Sequence, residues 1–241
     1  MPNHETGNAS DVDQRDAVPE MLRMLEATGL ASRPGKVLYS GRQTLCPGKL
    51  YLLGHNPGGD PADEAETTRS DFSGLCDKRP DWNEYVDGAW RPRGRHCQSG
   101  AAPLQRRVAY MLAGLGLAVR NVCASNLIFV RSSRSVNDIC HSQDFAELCW
   151  PIHEFILNIV QPQCIVTFGG EVVNFVSSRC RLSGPEESFR SGHGSWECRY
   201  SCVVLQGRKT ALISLPHLSR YAINHHPEVI RWMRSKIEEL G

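Results

Sequence analysis

Apolar residues in this chain fall into short unbroken blocks, separated by longer stretches with helical spacing. Leu50-Tyr51-Leu52-Leu53 is the first block and places a core strand at 49–54. Residues 121–130 read as a second buried strand, broken by Ser125-Asn126, and 164–168 as a third that stops at Gly169-Gly170. Two further strands, 202–205 and 210–215, are joined by Gly207-Arg208. Strands that are apolar throughout are covered on both faces, as in a mainly parallel sheet.

Helical spacing fills the intervals between these blocks. Pro19 opens a short amphipathic helix with Met21, Leu22 and Leu25 on one face. Leu104, Val108, Met111, Leu112 and Leu115 mark a helix over 102–117. Others follow at 144–160, despite Pro151, at 171–178, and at 228–240, where Pro227 sits in the first turn. Strands alternating with helices predict a three-layer α/β/α sandwich around a mainly parallel sheet. Residues 1–18 read as a disordered tail and 19–241 as one domain. Its core is interrupted by a polar loop at about 60–100 that carries Phe72, Trp82, Tyr85 and Trp90. A loop of that length is expected to be a lid or a binding loop.

Composition narrows the class without choosing a chemistry. The chain has 241 residues, 41% of them hydrophobic and 22% charged, as in ordinary globular proteins. No apolar run approaches the roughly 18 residues of a membrane span, and the polar N-terminus has no signal-peptide core. A cytoplasmic protein with no membrane partner is expected. The ten cysteines include no Cys-x-x-Cys pair, and Cys123, Cys149 and Cys164 lie in apolar runs, where reduced thiols pack as small hydrophobes. His96-Cys97 and Cys140-His141 lack suitably spaced partners, so no metal or other cofactor is expected.

Net charge is only +1, but arginine supplies most of the positive charge. Arg91 and Arg93 alternate with Arg95, and Arg131 and Arg134 follow the second strand. Arginine suits bidentate phosphate contact, although the same residues would also serve as solvated loop positions.

Polar groups and glycines gather where strands stop. Gly54-His55-Asn56-Pro57-Gly58, Ser125-Asn126-Leu127, Phe168-Gly169-Gly170 and His217-Leu218-Ser219-Arg220-Tyr221 each follow an apolar run. Ligand crevices of open α/β sheets lie at that carboxyl edge. Taken in order, these segments resemble the motifs of the uracil-DNA glycosylase superfamily, in its Asn-Pro-Gly branches, over residues 48–235. The resemblance implies that family's fold and a monofunctional glycosylase acting on DNA as a monomer. Such an enzyme would hydrolyse the N-glycosidic bond of a flipped uracil, or of a larger modified pyrimidine, and leave an abasic site.

The same resemblance implies roles for individual residues. Asn56 would orient the attacking water, and His217 would donate to the base carbonyl as charge develops there. Asn126 would read the pyrimidine edge, with Gly54, His55, Pro57 and Gly58 lining the pocket and Phe72 stacking on the base. Ser219, Arg220 and Tyr221 would meet DNA beside the flipped nucleotide, Tyr221 or Arg220 as the wedge, with Arg91, Arg93 and Arg131 on the backbone.

Each position also has a plainer reading: a turn at Asn56-Pro57, a satisfied buried amide at Asn126, a loop histidine at 217. Asp60 is the nearest carboxylate after the first motif and could act as a base or cap a turn. The family's fast uracil-specific branch carries a bulky tyrosine where this chain has Gly58, so a roomier pocket is expected. It would suit a 5-substituted cytosine of foreign DNA as well as a lesion under repair. Leu218 replaces the family's proline, and no lysine lies in the motifs, which argues against Schiff-base chemistry. The alternative is a module that binds modified DNA without cleaving it. An unrelated hydrolase is disfavoured by the absence of Gly-x-Ser-x-Gly and of a phosphate-binding Gly-x-x-x-x-Gly-Lys.

Overall fold

A computed structural model describes residues 14–59, 66–75, 77–132 and 142–240. Within them the chain forms seven strands and six α-helices. The strands are β1 (Leu50–Gly54), β2 (Cys123–Asn126), β3 (Cys164–Phe168), β4 (Arg181–Leu182), β5 (Glu187–His193), β6 (Trp196–Leu205) and β7 (Arg208–Leu215). The helices are α1 (Gln14–Ala27), α2 (Thr68–Gly74), α3 (Pro103–Gly114), α4 (Ser142–Val160), α5 (Gly170–Ser178) and α6 (Pro227–Glu238).

One mixed sheet runs in the order β2-β1-β3-β7-β6-β4, with β5 also paired to β6. Its first four strands are parallel, and β6 turns back antiparallel against β7. Alternation within β1 divides the core in two, as the strand period requires. Tyr51 and Leu53 face α1, α2, α4 and α5, whereas Leu50 and Leu52 face α3 and α6. Helices therefore cover both faces of the sheet. All four parallel strands end on one edge, which collects the polar segments singled out in the sequence.

Three boundaries differ from expectation. The first helix begins at Gln14, not Pro19, because Ala17 and Val18 are buried in the core and hold the chain helical through Pro19. These residues belong to the domain, not to a tail. The 60–100 stretch contains a helix, α2, whose N-terminus is closed by a Thr67–Ser70 capping box. Farther along it, Asp87 takes a bidentate contact from Arg120 at 2.7 and 2.8 Å, and that guanidinium lowers its carboxyl to about 2. From Asn83 to Gly88 this stretch is packed down, whereas most described positions from 91 to 99 are exposed. Finally, the 202–205 strand is the end of a much longer β6, paired with a β5 that the sequence pattern did not mark.

Candidate active site at the carboxyl edge of the sheet

Gly54 ends β1 directly beside Asn126, the last residue of β2. A Cβ at Gly54 would stand 2.1 Å from Asn126 Oδ1, so only glycine leaves room for this amide. Asn126 is 6% exposed, and its Nδ2 has no hydrogen-bond partner among the described residues. Burial, with the nearby Glu84, holds the Tyr39 phenol well above its ordinary value. The Asn126 amide close to its hydroxyl opposes this weakly, but Nδ2 makes no hydrogen bond to it of normal distance and angle. A buried amide nitrogen left unpaired costs roughly 1–3 kcal/mol, which calls for an explanation beyond packing.

The segment after β1 is strapped to the segment after β2. Leu127 N donates to Gly54 O, Ile128 N to His55 O and Ser132 N to Pro57 O, at 2.9, 2.9 and 3.3 Å. Asn56 Nδ2 donates to Ser132 Oγ at 2.8 Å and to Pro57 O at 3.0 Å. Both amide hydrogens are thus occupied, and among the described residues Oδ1 is left without a donor. A Cβ at Gly58 would meet no atom of the described residues within 4 Å. Gly59, at φ +128°, lies against Arg131, whose guanidinium pairs with Glu66 at 2.5 Å. Arg131 therefore braces the motif loop from the side.

His217 follows β7 across the edge. Ser219 N donates to its Nδ1 at 3.1 Å, so the neutral ring carries its proton on Nε2. Burial lowers the imidazole to about 4, helped by the neighbouring His55 and Arg220. His55, also lowered to about 4 by burial, has Nε2 3.5 Å from Glu171 in the first turn of α5. Being neutral at physiological pH, it forms no true ion pair there. Gly169, at φ +97°, starts α5 beside the His217 ring. Leu218 is fully buried, and Arg107 grips its carbonyl at 2.6 Å. Packing and one charged hydrogen bond thus hold this turn.

Asn56, Asn126, His55, Gly58 and His217 thus share one edge with Gly54 and Pro57. Other expected site residues do not join them as foreseen. Phe72 has no exposed surface and packs in the core under α1 and α2, so it offers no face to a base. Tyr221 is also fully buried: its hydroxyl donates to Ser191 O at 2.7 Å and its ring stacks on His226. It cannot act as an exposed wedge. Ser219 and Arg220 are exposed on the turn, and Arg91 is exposed in the 77–100 segment. The Arg93 side chain, Asp60, Arg134 and the Cys140-His141 pair lie outside what is described.

Two residues were not anticipated. Tyr39 reaches the site because its backbone N–H pairs with Ala124 O at 2.8 Å. Its ring packs on Tyr85 and Trp90 at 5.6 and 5.9 Å, and Trp90 Nε1 donates to Glu84 at 3.3 Å. An aromatic cluster therefore stands beside Asn126, though not the Phe72 the sequence favoured. His153 is buried beneath: its Nδ1 accepts from the Tyr51 hydroxyl at 2.9 Å, and Nε2–H donates to Leu127 O at 3.1 Å. That link fixes the residue next to Asn126.

Among the described residues, no three His, Cys, Asp or Glu side chains are placed to hold a metal. No helix among them is long and apolar enough to cross a membrane. Comparison with known protein families finds no match, and no curated protein is significantly similar to the chain.

Proposed function

We propose that the protein is a monofunctional DNA glycosylase with a uracil-DNA glycosylase-like fold, acting on a flipped pyrimidine at the carboxyl edge of its sheet. The observation that carries this reading is the unpaired, buried Nδ2 of Asn126, on the same strand edge as Asn56 and His217. A pyrimidine carbonyl would satisfy that donor. Tyr39, backed by Tyr85 and Trp90, takes the stacking role in place of Phe72.

The chemistry follows from the protonation states. As the glycosidic bond breaks, its electron pair moves onto the base and positive charge grows on the sugar. Nε2–H of neutral His217 donates to the base carbonyl where negative charge collects. Asn56 Oδ1 accepts from a water whose oxygen bonds to the anomeric carbon, and that water's proton leaves to solvent. An amide is too weak a base to remove the proton early, so its contribution is placement.

The test is to incubate the protein with plain, uracil-containing and 5-substituted DNA, then identify released bases by mass spectrometry. Asn56→Ala should slow release roughly a hundredfold, as misplacing a reacting group does, while DNA binding persists. Release at the parental rate would remove Asn56 from the mechanism. Binding of modified DNA without any release would favour the second reading, a recognition module. The amide at position 56, in place of a carboxylate, is what keeps that reading in play.

Gly58 sets the expected size of the base. No described atom would clash with a Cβ there, so Gly58→Tyr should fold normally and narrow the pocket. The variant should lose roughly tenfold or more on 5-substituted pyrimidines relative to uracil, the scale of a steric pocket contact. Equal rates on both substrates, measured in one competition assay, would show that Gly58 does not face the base.

A further inference from the structure

The β5–β6 hairpin is a prominent feature that the site described above leaves unused. Arg199 of β6 pairs with Ser214 of β7, so the residues before Arg199 run past the end of β7 toward the turn carrying His217. The tip, His193-Gly194-Ser195-Trp196, overhangs the same edge as Asn56 and Asn126.

Several contacts lock this tip to the catalytic turn. Tyr221 N donates to His217 O at 3.0 Å, and the Tyr221 hydroxyl donates to Ser191 O at 2.7 Å on the hairpin. Rings continue outward: His226 stacks on Tyr221 at 5.3 Å, His193 meets Tyr221 at 5.7 Å, and Trp196 meets His193 edge-on at 6.4 Å. Gly192, at φ +75°, passes so close to His226 that a Cβ would lie 2.4 Å from the ring. Ser191 Oγ donates to Trp196 O at 2.5 Å and accepts from His193 N at 3.0 Å.

The hairpin is therefore stiff, yet the indole at its end is 52% exposed. A cleft of about 240 Å³ beside it is lined by Arg190, Gly192, Gly194, Ser195 and Glu197. Arg190 and Glu197 face each other across the ladder and offset locally, leaving exposed Arg220 as the nearby cation on the His217 turn.

We propose that this tip is a strand-engaging finger, with Trp196 stacking on a base adjacent to the nucleotide held in the site and Arg220 on its backbone. The proposal rests on the DNA glycosylase reading. Pulling one base out of a stack exposes the π-face of its neighbour, and a rigid, exposed indole at the rim matches that surface. Tyr221, buried beneath, supports the finger in place of serving as the wedge. The finger belongs to this chain's long hairpin, not to the four strand-end motifs.

The experiment is fluorescence anisotropy with labelled single-stranded and duplex DNA carrying a stable abasic-site analogue. Trp196→Ala should weaken binding about tenfold, within the range of one base–aromatic stack, with an unchanged thermal midpoint. Trp196→Phe should retain most of the affinity. Parental indole fluorescence should be quenched on DNA addition, and Trp196→Phe should lose most of that quench. If Trp196→Ala binds as the parent does while the parent still releases bases, the finger is refuted and the glycosylase reading stands. If the parent binds neither DNA nor releases a base, both fail together.

Discussion

Asn126→Ala is expected to abolish base release, by about a thousandfold or more, while leaving the fold as stable as before. The first half follows from what a buried recognition amide does. A site built to hydrogen-bond its ligand discriminates strongly when that bond is removed, and loss of a single preorganised donor costs about two to three orders of magnitude in rate. The second half separates a binding amide from a structural one. Asn126 Nδ2 makes no hydrogen bond in the free protein, so deleting it removes an unsatisfied buried donor. That gain offsets the small cavity left beside Gly54.

Gly54 supplies a second check on the same geometry. Gly54→Ala alone drives a Cβ to 2.1 Å from Asn126 Oδ1 and should destabilise the strand edge. Combined with Asn126→Ala the clash disappears, so the two effects should be strongly non-additive in urea unfolding. A drop of several kcal/mol for Asn126→Ala alone would mean the amide holds the fold together, and the site would have to be sought elsewhere.

The strand ends were legible because their neighbours are buried on both faces. β1 and β3 are apolar runs that stop at glycine, and the parallel register then brings Gly54, Asn126 and Gly169 to one edge. β5 was not legible, since Glu187–His193 alternates between half-buried and exposed positions and its one fully buried residue is the polar Ser191. Tyr39 belongs to no regular element: an isolated bridge between Leu38 and Ser125 puts it beside the site. Periodicity carries no information about such a contact.

The aromatic residues show the complementary limit. Sequence identifies Phe72 and Tyr221 as large rings near the motifs, but not the side to which each ring turns. Phe72 faces inward because α2 lays it against Met21 and Leu25 in one core. Tyr221 turns inward because both its ring and its hydroxyl find partners on the hairpin and on His226. The resulting rule is physical: an aromatic with a satisfied hydroxyl and a stacked face is already engaged. Trp196 is half exposed, whereas Tyr39 keeps its hydroxyl beside Asn126 while its ring already packs on Tyr85 and Trp90.

The second large expected effect is a loss of stability on mild acidification. His55, His153 and His217 are each held near 4 by burial, well below the ordinary value of 6.5. Between those limits the unfolded chain binds protons that the native protein refuses. Stability therefore rises with pH in that window, is fully present above about 6.5, and is lost progressively as pH falls toward 4. For His153, completely enclosed between Tyr51 and Leu127, the fall from 6.5 to about 4 corresponds to roughly 3 kcal/mol at 1.36 kcal/mol per unit. His55 and His217 lie nearer solvent and contribute less each. Urea midpoints should thus be flat above pH 7 and decline steeply below 6.5. His153→Gln removes the titrating ring while its amide can still donate to Leu127 O. It should flatten the decline even if it lowers the midpoint at pH 7. An unchanged slope would exclude His153 as its source. Activity of the folded protein should hold through that window and fall only near pH 4, where native His217 itself takes up a proton. Protonating His217 at Nδ1 breaks the contact with Ser219 N–H, and a charged ring beside His55 and Arg220 is repelled from the position it needs.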